Sequence, residues 1–327
     1  VLGAATAIVG AVMCWAQRHL KRLLAFSTVA HVGVMTLGLA ALTPRGVAGA
    51  AMYALGHGFV KGALFLLAGT LLHTRRSVDE IKLRGCGDAR TGLVWGVAAL
   101  GLAGLPPFGT FVGEGMVGHA ARELDASWVE GVTMVVSLFT GAAVFRVFGR
   151  VFLDWGPAAP EVPGPNTKDE EPETPGPDRP PNKHARRPVP WAMTASAVAL
   201  LLLSLGVGAI PGLRRGILAA AARFCDSSGY SVSVMTGANG ALPVAAPESH
   251  ALEIARPLVV VALATLLAAA ALLRARLPEE DRASWRRAVR AIYDIPRRIH
   301  SGHAGDYVAR LLLGVAAITG VATLMGR

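Results

Sequence analysis

The sequence predicts an all-α fold, a polytopic membrane bundle of about eight transmembrane helices with one helix broken mid-membrane at Pro106-Pro107. Hydrophobic residues make up 53% of the 327 residues and charged residues only 17%, which is unlike an ordinary water-soluble domain. Several uncharged apolar runs reach the roughly 17–25 residues that a membrane-spanning helix requires. Lysine and arginine also concentrate in alternate loops, as expected of a chain that crosses a membrane repeatedly.

The apolar runs predict the positions of the spans, which fall at about residues 1–17, 23–42, 48–72, 92–120, 131–153, 189–212, 256–273 and 307–326. The first, third, fifth and seventh loops carry most of the lysine and arginine between these spans, which is the positive-inside pattern. The protein is therefore expected in the cell membrane, with its basic loops cytoplasmic and both chain ends on the outer side. Because this pattern accounts for the net charge of +10, no nucleic-acid partner is inferred.

The fourth span, TGLVWGVAALGLAGLPPFGTFVGEGMVG, contains Pro106, Pro107 and Gly109 near its middle. Proline removes a backbone donor and clashes with the preceding helical turn, so the helix is expected to break there. Broken backbone at membrane depth is tolerated only where protein or a wet cavity satisfies its polar groups.

Two segments outside the spans have distinctive compositions. Residues 156–188 are rich in proline and in charges of both signs, which predicts a disordered cytoplasmic loop that acts as a spacer. Residues 189–327 form a C-terminal extension with a long sixth loop. Within it, the basic amphipathic segment near residues 277–303 is expected on the inner leaflet, against anionic lipid.

Four ionisable residues lie inside predicted spans: His31 in the second, His57 and Lys61 in the third, and Glu114 in the fourth. A charged side chain at the centre of a membrane helix costs roughly 2.5–3.5 kcal/mol, so such residues usually face protein or water and mark ion pathways. The four-residue spacing places His57 and Lys61 on one helix face. Histidine titrates near neutral pH, and a water-linked row of such groups can relay protons.

Other interpretations of these four residues remain open. A buried histidine such as His31 can simply bridge two helices, and Lys61 can have a purely structural role. Glu114 can lie near an interface, because the depth of the broken span is uncertain. A metal site formed by His31, His57 and Glu114 has no support from their spacing. The cysteines are also far apart and predict neither a disulfide nor an iron–sulfur centre; they are Cys14, Cys86 and Cys225.

Two further expectations concern packing. Gly58, Gly62 and Gly69 are predicted to let neighbouring helices approach the third span closely. Arg146 and Arg150, in FRVFGRVF, are predicted to snorkel to the cytoplasmic surface.

The order of the motifs LKRLLAFSTVAHVGVM, HGFVKGALFLLAGTLLH and GLAGLPPFGTFVGE resembles the proton-conducting, antiporter-like membrane subunit family. This family includes the large hydrophobic subunits of respiratory complex I, the membrane subunits of hydrogenases and formate hydrogenlyase, and multisubunit Na+/H+ antiporter subunits. The resemblance covers residues 1–155, which correspond to the second-half proton-channel helices. It implies that His31, His57 and Lys61 belong to the central proton channel and that Glu114 is the proton exit.

The resemblance implies a proton-translocating, non-catalytic subunit of a respiratory NADH:quinone oxidoreductase-like or membrane hydrogenase-like complex. Such a subunit has no cofactor or metal of its own, works with other membrane subunits in the lipid bilayer, and transports protons, with Na+ as the alternative ion. The alternatives are a multisubunit Na+/H+ antiporter subunit and a truncated, non-transporting remnant. Members carry two inverted repeats, and this chain resembles the second, which predicts a C-terminal fragment. Tyr53 stands where some members have another histidine.

Overall fold

A computed structural model describes residues 1–157, 189, 191–236 and 254–273, and every regular element among them is an α-helix. The helices are α1 (Leu2–Ala16), α2 (Leu20–Ala40), α3 (Pro44–Arg75), α4 (Ala89–Leu102), α5 (Gly109–Glu123), α6 (Trp128–Val151), α7 (Trp191–Ala209), α8 (Pro211–Cys225), α9 (Ser227–Thr236) and α10 (Ala255–Leu273). All of the described residues belong to one compact unit. The predicted all-α fold class is confirmed.

Five of these helices, α2, α3, α6, α7 and α10, are long and apolar enough to cross a membrane, as judged by length and composition. Two shorter apolar helices, α1 and α4, occupy the positions of predicted spans. The eighth span at 307–326, the basic segment 277–303 and residues 158–188 of the proline-rich loop lie outside the described residues. The total of eight spans therefore stays a prediction.

Two helices occur where the sequence suggested only a long loop. The helices α8 and α9 lie between α7 and α10, and α8 begins at Pro211, a residue that suits the first turn of a helix. Ile217 of α8 packs against an apolar cluster that includes Met52 and Phe111. Because α8 is short and carries several arginines, its hydropathy does not resemble that of a span, so membrane-length apolar runs do not reveal it.

The fourth predicted span is two helices, α4 and α5, separated by the turn that contains Pro106-Pro107. Gly104, just before this turn, has a φ of +79°, a left-handed conformation that favours glycine. The Thr110 hydroxyl donates a 2.6 Å hydrogen bond to the Gly101 carbonyl, which thereby gains a partner at the end of α4. The predicted helix break is confirmed, and α5 approaches α3 directly after it.

Small residues allow close contact between the helices, and Gly62 is one of the predicted positions, since a Cβ there would lie 2.9 Å from the Leu200 side chain of α7. A Cβ on Gly69 would lie 3.6 Å from Met193, an ordinary contact. A Cβ on Gly10 of α1 would lie 2.8 Å from the Cα of Ala30 on α2, and a Cβ on Gly113 of α5 would overlap the backbone of Tyr53 on α3. The prediction for Gly58 is wrong, because nothing among the described residues lies within 4 Å of its added Cβ. Gly58 and Gly62, four residues apart, form a helix face without bulky side chains, but their spacing alone does not show which helix packs against that face.

The predicted snorkelling of Arg146 and Arg150 is also wrong, since both side chains are buried around Glu80 in the loop between α3 and α4. Arg146 donates to the Glu80 carboxylate over 3.2 Å, and to the carbonyls of Trp15 and Gln17 over 2.7 and 2.6 Å. Arg150 donates to the other Glu80 oxygen over 3.3 Å. This buried triad of Glu80, Arg146 and Arg150 joins the end of α1, the α3–α4 loop and α6.

Candidate functional site

His31 lies fully buried in α2, with both ring nitrogens paired to side chains of other helices. Its Nε2 is 3.1 Å from the Thr140 hydroxyl of α6, and its Nδ1 is 2.6 Å from the Tyr53 hydroxyl of α3. The Thr140 hydroxyl donates its proton to the Val136 carbonyl over 2.7 Å, so it accepts from His31. In neutral His31 the Nδ1 atom is then the acceptor, and Tyr53 is the donor.

His57 stacks beside His31 on the neighbouring helix. The two imidazole centroids are 4.5 Å apart, and the Tyr53 ring centroid is 6.2 Å from that of His57. His57 is only 4% exposed, and neither ring nitrogen has a hydrogen-bond partner among the described residues. The structure thus brings together two of the predicted site residues, and His57 keeps hydrogen-bonding capacity that a water molecule can use.

Lys61, one turn further along α3, is 5% exposed, and the hydrogen-bond partners of its ammonium group are oxygen atoms. Its Nζ donates to the Leu24 carbonyl and to the Ser27 hydroxyl, both on α2, and lies 5.4 Å from the centroid of the Phe65 ring. The Ser27 hydroxyl itself donates to the Leu24 carbonyl over 2.9 Å, which leaves its lone pairs for the lysine. These neutral acceptors stabilise the ammonium, and no carboxylate among the described residues forms an ion pair with it.

Glu114 lies on α5 just after the helix break and is partly buried. The Ser137 hydroxyl of α6 donates to its Oε2 over 3.3 Å. A Cβ on Gly104 would lie 2.8 Å from this same oxygen, so the turn before the break leaves room for the carboxylate. The broken helix therefore places Glu114 against α6 rather than toward His31 directly.

Hydroxyl groups that the sequence did not single out lie between His31 and Glu114. Ser137 donates to Glu114, Tyr53 contacts His31, and Ser137 lies near the Tyr53 hydroxyl. The signal for Ser137 is present in TMVVSLFTGAA, where hydroxyl residues recur on one face of an otherwise apolar helix. Tyr53 stands out in the sequence only by comparison with the histidine found in some members of the family.

The geometry of these residues does not support a metal site formed by His31, His57 and Glu114. The described part of the chain contains no group of three histidine, cysteine, aspartate or glutamate side chains placed to hold a metal ion. His31 already uses both nitrogens on hydroxyl partners, and Glu114 contacts Ser137.

Comparison with known proteins agrees with the fold and the motifs. Residues 1–140 match the family described as NADH:quinone oxidoreductase/Mrp antiporter, TM. The resemblance to the antiporter-like membrane subunits is confirmed. Together with its apolar helices, this makes the chain a multi-pass membrane protein.

Relatives occur among both redox and antiporter proteins. NADH-quinone oxidoreductase subunit N of Desulforudis audaxviator is 33% identical over 209 residues, which cover 63% of this chain and 39% of that protein. NADH-quinone oxidoreductase subunit L of Mycobacterium tuberculosis (strain CDC 1551 / Oshkosh) is 36% identical over 159 residues, which cover 47% of this chain and 24% of that protein. A Na(+)/H(+) antiporter subunit of Bacillus subtilis is 30% identical over 50% of this chain and 33% of its own length. This chain thus spans well under half the length of each.

Two solved structures share the fold. Respiratory complex I from Thermus thermophilus with bound NADH aligns with a TM-score of 0.52 at 24% identity, over 68% of this chain and 43% of the matched chain. The Mrp complex from Dietzia sp. DQ12-45-1b aligns with a TM-score of 0.54 at 20% identity, over 99% of this chain and 33% of the matched chain. At these identities the likeness concerns the fold alone.

Proposed function

We propose that this chain is a proton-translocating, non-catalytic membrane subunit of a redox-driven complex of the NADH:quinone oxidoreductase or membrane hydrogenase type. Other membrane subunits are its partners, and the redox cofactors belong to those partners. Residues 1–155 carry the proton path, 156–188 act as a spacer, and the tail from residue 189 supports the path. One such support is Ser204 of α7, which donates a 3.1 Å hydrogen bond to the Gly56 carbonyl of α3.

The observation that carries this proposal is one continuous row of titratable and hydroxyl side chains. The row begins at Lys61, whose ammonium donates to the Ser27 hydroxyl, and continues one turn along α3 to His57. From His57 it passes to His31, whose ring centroid lies 4.5 Å from that of His57. From His31 it passes through Tyr53 and Ser137 to Glu114. The contacts between Ser27 and Lys61, between His57 and His31, between His31 and Tyr53, and between Ser137 and Glu114 are direct. We propose that water molecules bridge the remaining steps, as proton relay requires.

The positive-inside pattern gives the proposed row a direction relative to the membrane. Lys61 binds Leu24, near the beginning of α2 and beside the basic first loop, which the positive-inside rule places in the cytoplasm. At the opposite end, Arg45 near the start of α3 pairs with Glu123 at the end of α5, the helix that carries Glu114. We therefore propose that protons enter the row near Lys61 and leave it past Glu114 to the outer side.

The second candidate function is a subunit of a multisubunit Na+/H+ antiporter. It is favoured by the match to the Bacillus subtilis antiporter protein and by the fold likeness to the Mrp complex over 99% of this chain. The two candidates differ in their driving force. Proton uptake by membrane vesicles that follows electron transfer supports the first, whereas proton movement driven only by a Na+ gradient supports the second.

Replacing Glu114 by glutamine in the intact complex is expected to lower proton pumping about tenfold or more, because the amide cannot take up and release a proton. Glu114→Asp keeps the carboxyl group and should retain part of the activity. Pumping is measured with a pH-sensitive dye in inverted vesicles, normalised to the amount of assembled complex. Normal pumping in both variants would leave Glu114 with a structural role only.

Replacing Tyr53 by phenylalanine removes the hydroxyl that contacts His31 and keeps the ring, together with the backbone and Cβ that pack against Gly113. We expect pumping to fall about three- to tenfold while the complex assembles normally, since the change costs about one hydrogen bond. Tyr53→His should recover more activity than Tyr53→Phe, because imidazole can again relay a proton. Equal pumping by wild-type and Tyr53→Phe complexes would remove this hydroxyl from the path.

A further inference from the structure

Thr140 of α6 is a fully buried hydroxyl residue that the sequence did not single out. Its oxygen is 3.1 Å from Nε2 of His31, and its hydroxyl donates to the Val136 carbonyl over 2.7 Å. Because a hydroxyl has a single proton, the Thr140 oxygen can only accept from the imidazole while the bond to Val136 is made. Neutral His31 therefore carries its proton on Nε2, facing Thr140.

The Nε2 side of His31 is closed to proton exchange. Its hydrogen bond to Thr140 leads only to the Val136 carbonyl, which has no proton to pass on. A proton that His31 takes up therefore adds at Nδ1, the nitrogen that lies 2.6 Å from the Tyr53 hydroxyl. The same nitrogen releases it, because Nε2 keeps its proton in both charge states of the ring.

A proton on Nδ1 reverses the hydrogen bond between His31 and Tyr53. In the neutral ring Nδ1 accepts from the Tyr53 hydroxyl, whereas protonated Nδ1 donates to the Tyr53 oxygen. The hydroxyl proton of Tyr53 then needs another acceptor. Ser137 lies near this hydroxyl, and since it donates its own proton to Glu114 over 3.3 Å, its oxygen can accept through a bridging water molecule. In this state the donors point in one direction, from His31 toward Glu114.

We propose that Thr140 is a positioning residue for proton transfer. By holding the Nε2 proton of His31, it directs every further proton to Nδ1, and so makes the Tyr53 hydroxyl a switch that turns when the ring is protonated. This inference rests on the proposed function, in which Glu114 ends the row. Without Thr140, the imidazole can exchange its two nitrogens, and the direction of the Tyr53 hydroxyl no longer depends on the charge of the ring.

The transfer balances without an ionised tyrosine. Nδ1 passes its proton to the Tyr53 oxygen, the proton that Tyr53 held passes through the bridging water to Ser137, and the Ser137 proton passes to the Glu114 carboxylate. His31 returns to its neutral form and Glu114 becomes protonated. The hydroxyl groups between them keep one proton each, and the Tyr53 hydroxyl turns back to Nδ1 before the next transfer.

The test compares Thr140→Val with Thr140→Ser in the assembled complex, with Thr133→Val as the matched control. Valine has the shape of threonine but cannot accept from Nε2, whereas serine keeps the hydroxyl. Thr133 is likewise buried on α6 and donates over 2.8 Å to the carbonyl four residues before it. Within the described part of the chain it has no hydrogen bond to a histidine.

The direct readout is the tautomer of His31, taken from the nitrogen NMR signals of isotope-labelled histidine and assigned by their loss in His31→Asn. We expect the proton on Nε2 in the wild type, Thr140→Ser and Thr133→Val. In Thr140→Val a large fraction should carry it on Nδ1, because the buried Nε2–H has lost its acceptor. Pumping should fall about three- to tenfold in Thr140→Val, as for the loss of one hydrogen bond, and stay within about twofold of the wild type in the other two variants.

Tyr53→Phe separates the effects of the two partners of the ring. It removes the contact at Nδ1, yet Thr140 still holds the Nε2 proton, so the tautomer of His31 should stay as in the wild type. If Thr140 acts through Tyr53, the double variant Thr140→Val with Tyr53→Phe should pump as Tyr53→Phe alone does. Independent effects would instead multiply the two losses.

Four results overturn the inference: a wild-type His31 with its proton on Nδ1, an unchanged tautomer in Thr140→Val, normal pumping in that variant, or multiplied losses in the double variant. If Thr140→Val does not assemble, the wild-type and Tyr53→Phe spectra decide. The tautomer is measured without pumping, so it still tests the role of Thr140 if Glu114→Gln pumps normally, a result that would contradict the proposed function instead.

Discussion

Replacing Lys61 by alanine is expected to reduce proton pumping more than tenfold while the complex still assembles. In the proposed row, the Lys61 amine carries the proton between Leu24 and Ser27 on α2 and His57 on α3. Alanine has no group that can carry it, so this step is lost. Assembly should tolerate the change, because burying a lysine mid-membrane is itself unfavourable by roughly 2.5–3.5 kcal/mol. The two oxygens it leaves also stay paired, since the Ser27 hydroxyl donates to the Leu24 carbonyl.

The sharper variant is Lys61→Arg, which keeps the positive charge but cannot release its proton at accessible pH. If Lys61 acts by giving up a proton, Lys61→Arg should fail to pump as Lys61→Ala does. If it acts only as a fixed charge, Lys61→Arg should pump. Lys82→Ala, an exposed lysine in the loop between α3 and α4, is the matched control and should pump normally. Wild-type pumping in Lys61→Ala would remove Lys61 from the path.

The features that the sequence predicted well follow from local rules. Two consecutive prolines cannot continue a helix, so the division of the fourth span into α4 and α5 was predictable from a few residues. The shared face of His57 and Lys61 follows from helical periodicity in the same way. The free-energy cost of burying ionisable groups in apolar helices likewise drew attention to His31 and Glu114, and each of them contacts a hydroxyl group of another helix.

The features that the sequence did not predict depend on contacts between distant residues. Ser137 follows Glu114 by 23 positions, and no local rule indicates that its hydroxyl donates to this carboxylate. Arg146 was expected at the surface because long cationic side chains usually reach it, but its carboxylate partner Glu80 is 66 residues away in a loop. A rule based on one side chain and its own helix cannot detect a partner that arrives from another element.

The buried triad of Glu80, Arg146 and Arg150 gives the largest expected effect on stability. Glu80 is 2% exposed, and its two carboxylate oxygens each accept from a different arginine. Glu80→Ala would leave these two buried guanidinium groups without their carboxylate, and breaking a buried ion pair in this way typically costs about 3–5 kcal/mol. We expect a marked loss of assembled chain in membranes and a clearly lower thermal transition in detergent.

Glu123→Ala is the matched control, because its ion pair with Arg45 is largely exposed, with 46% of the Glu123 side-chain surface accessible. Exposed pairs contribute about 0–1 kcal/mol, so this variant should behave nearly as the wild type. A double variant, Glu80→Gln with Arg150→Met, should recover part of the stability, since replacing buried charges by apolar groups relieves their desolvation. If Glu80→Ala and Glu123→Ala assemble and melt alike, the triad does not stabilise the junction of α1, α6 and the α3–α4 loop, and the carbonyls of Trp15 and Gln17 suffice to hold Arg146.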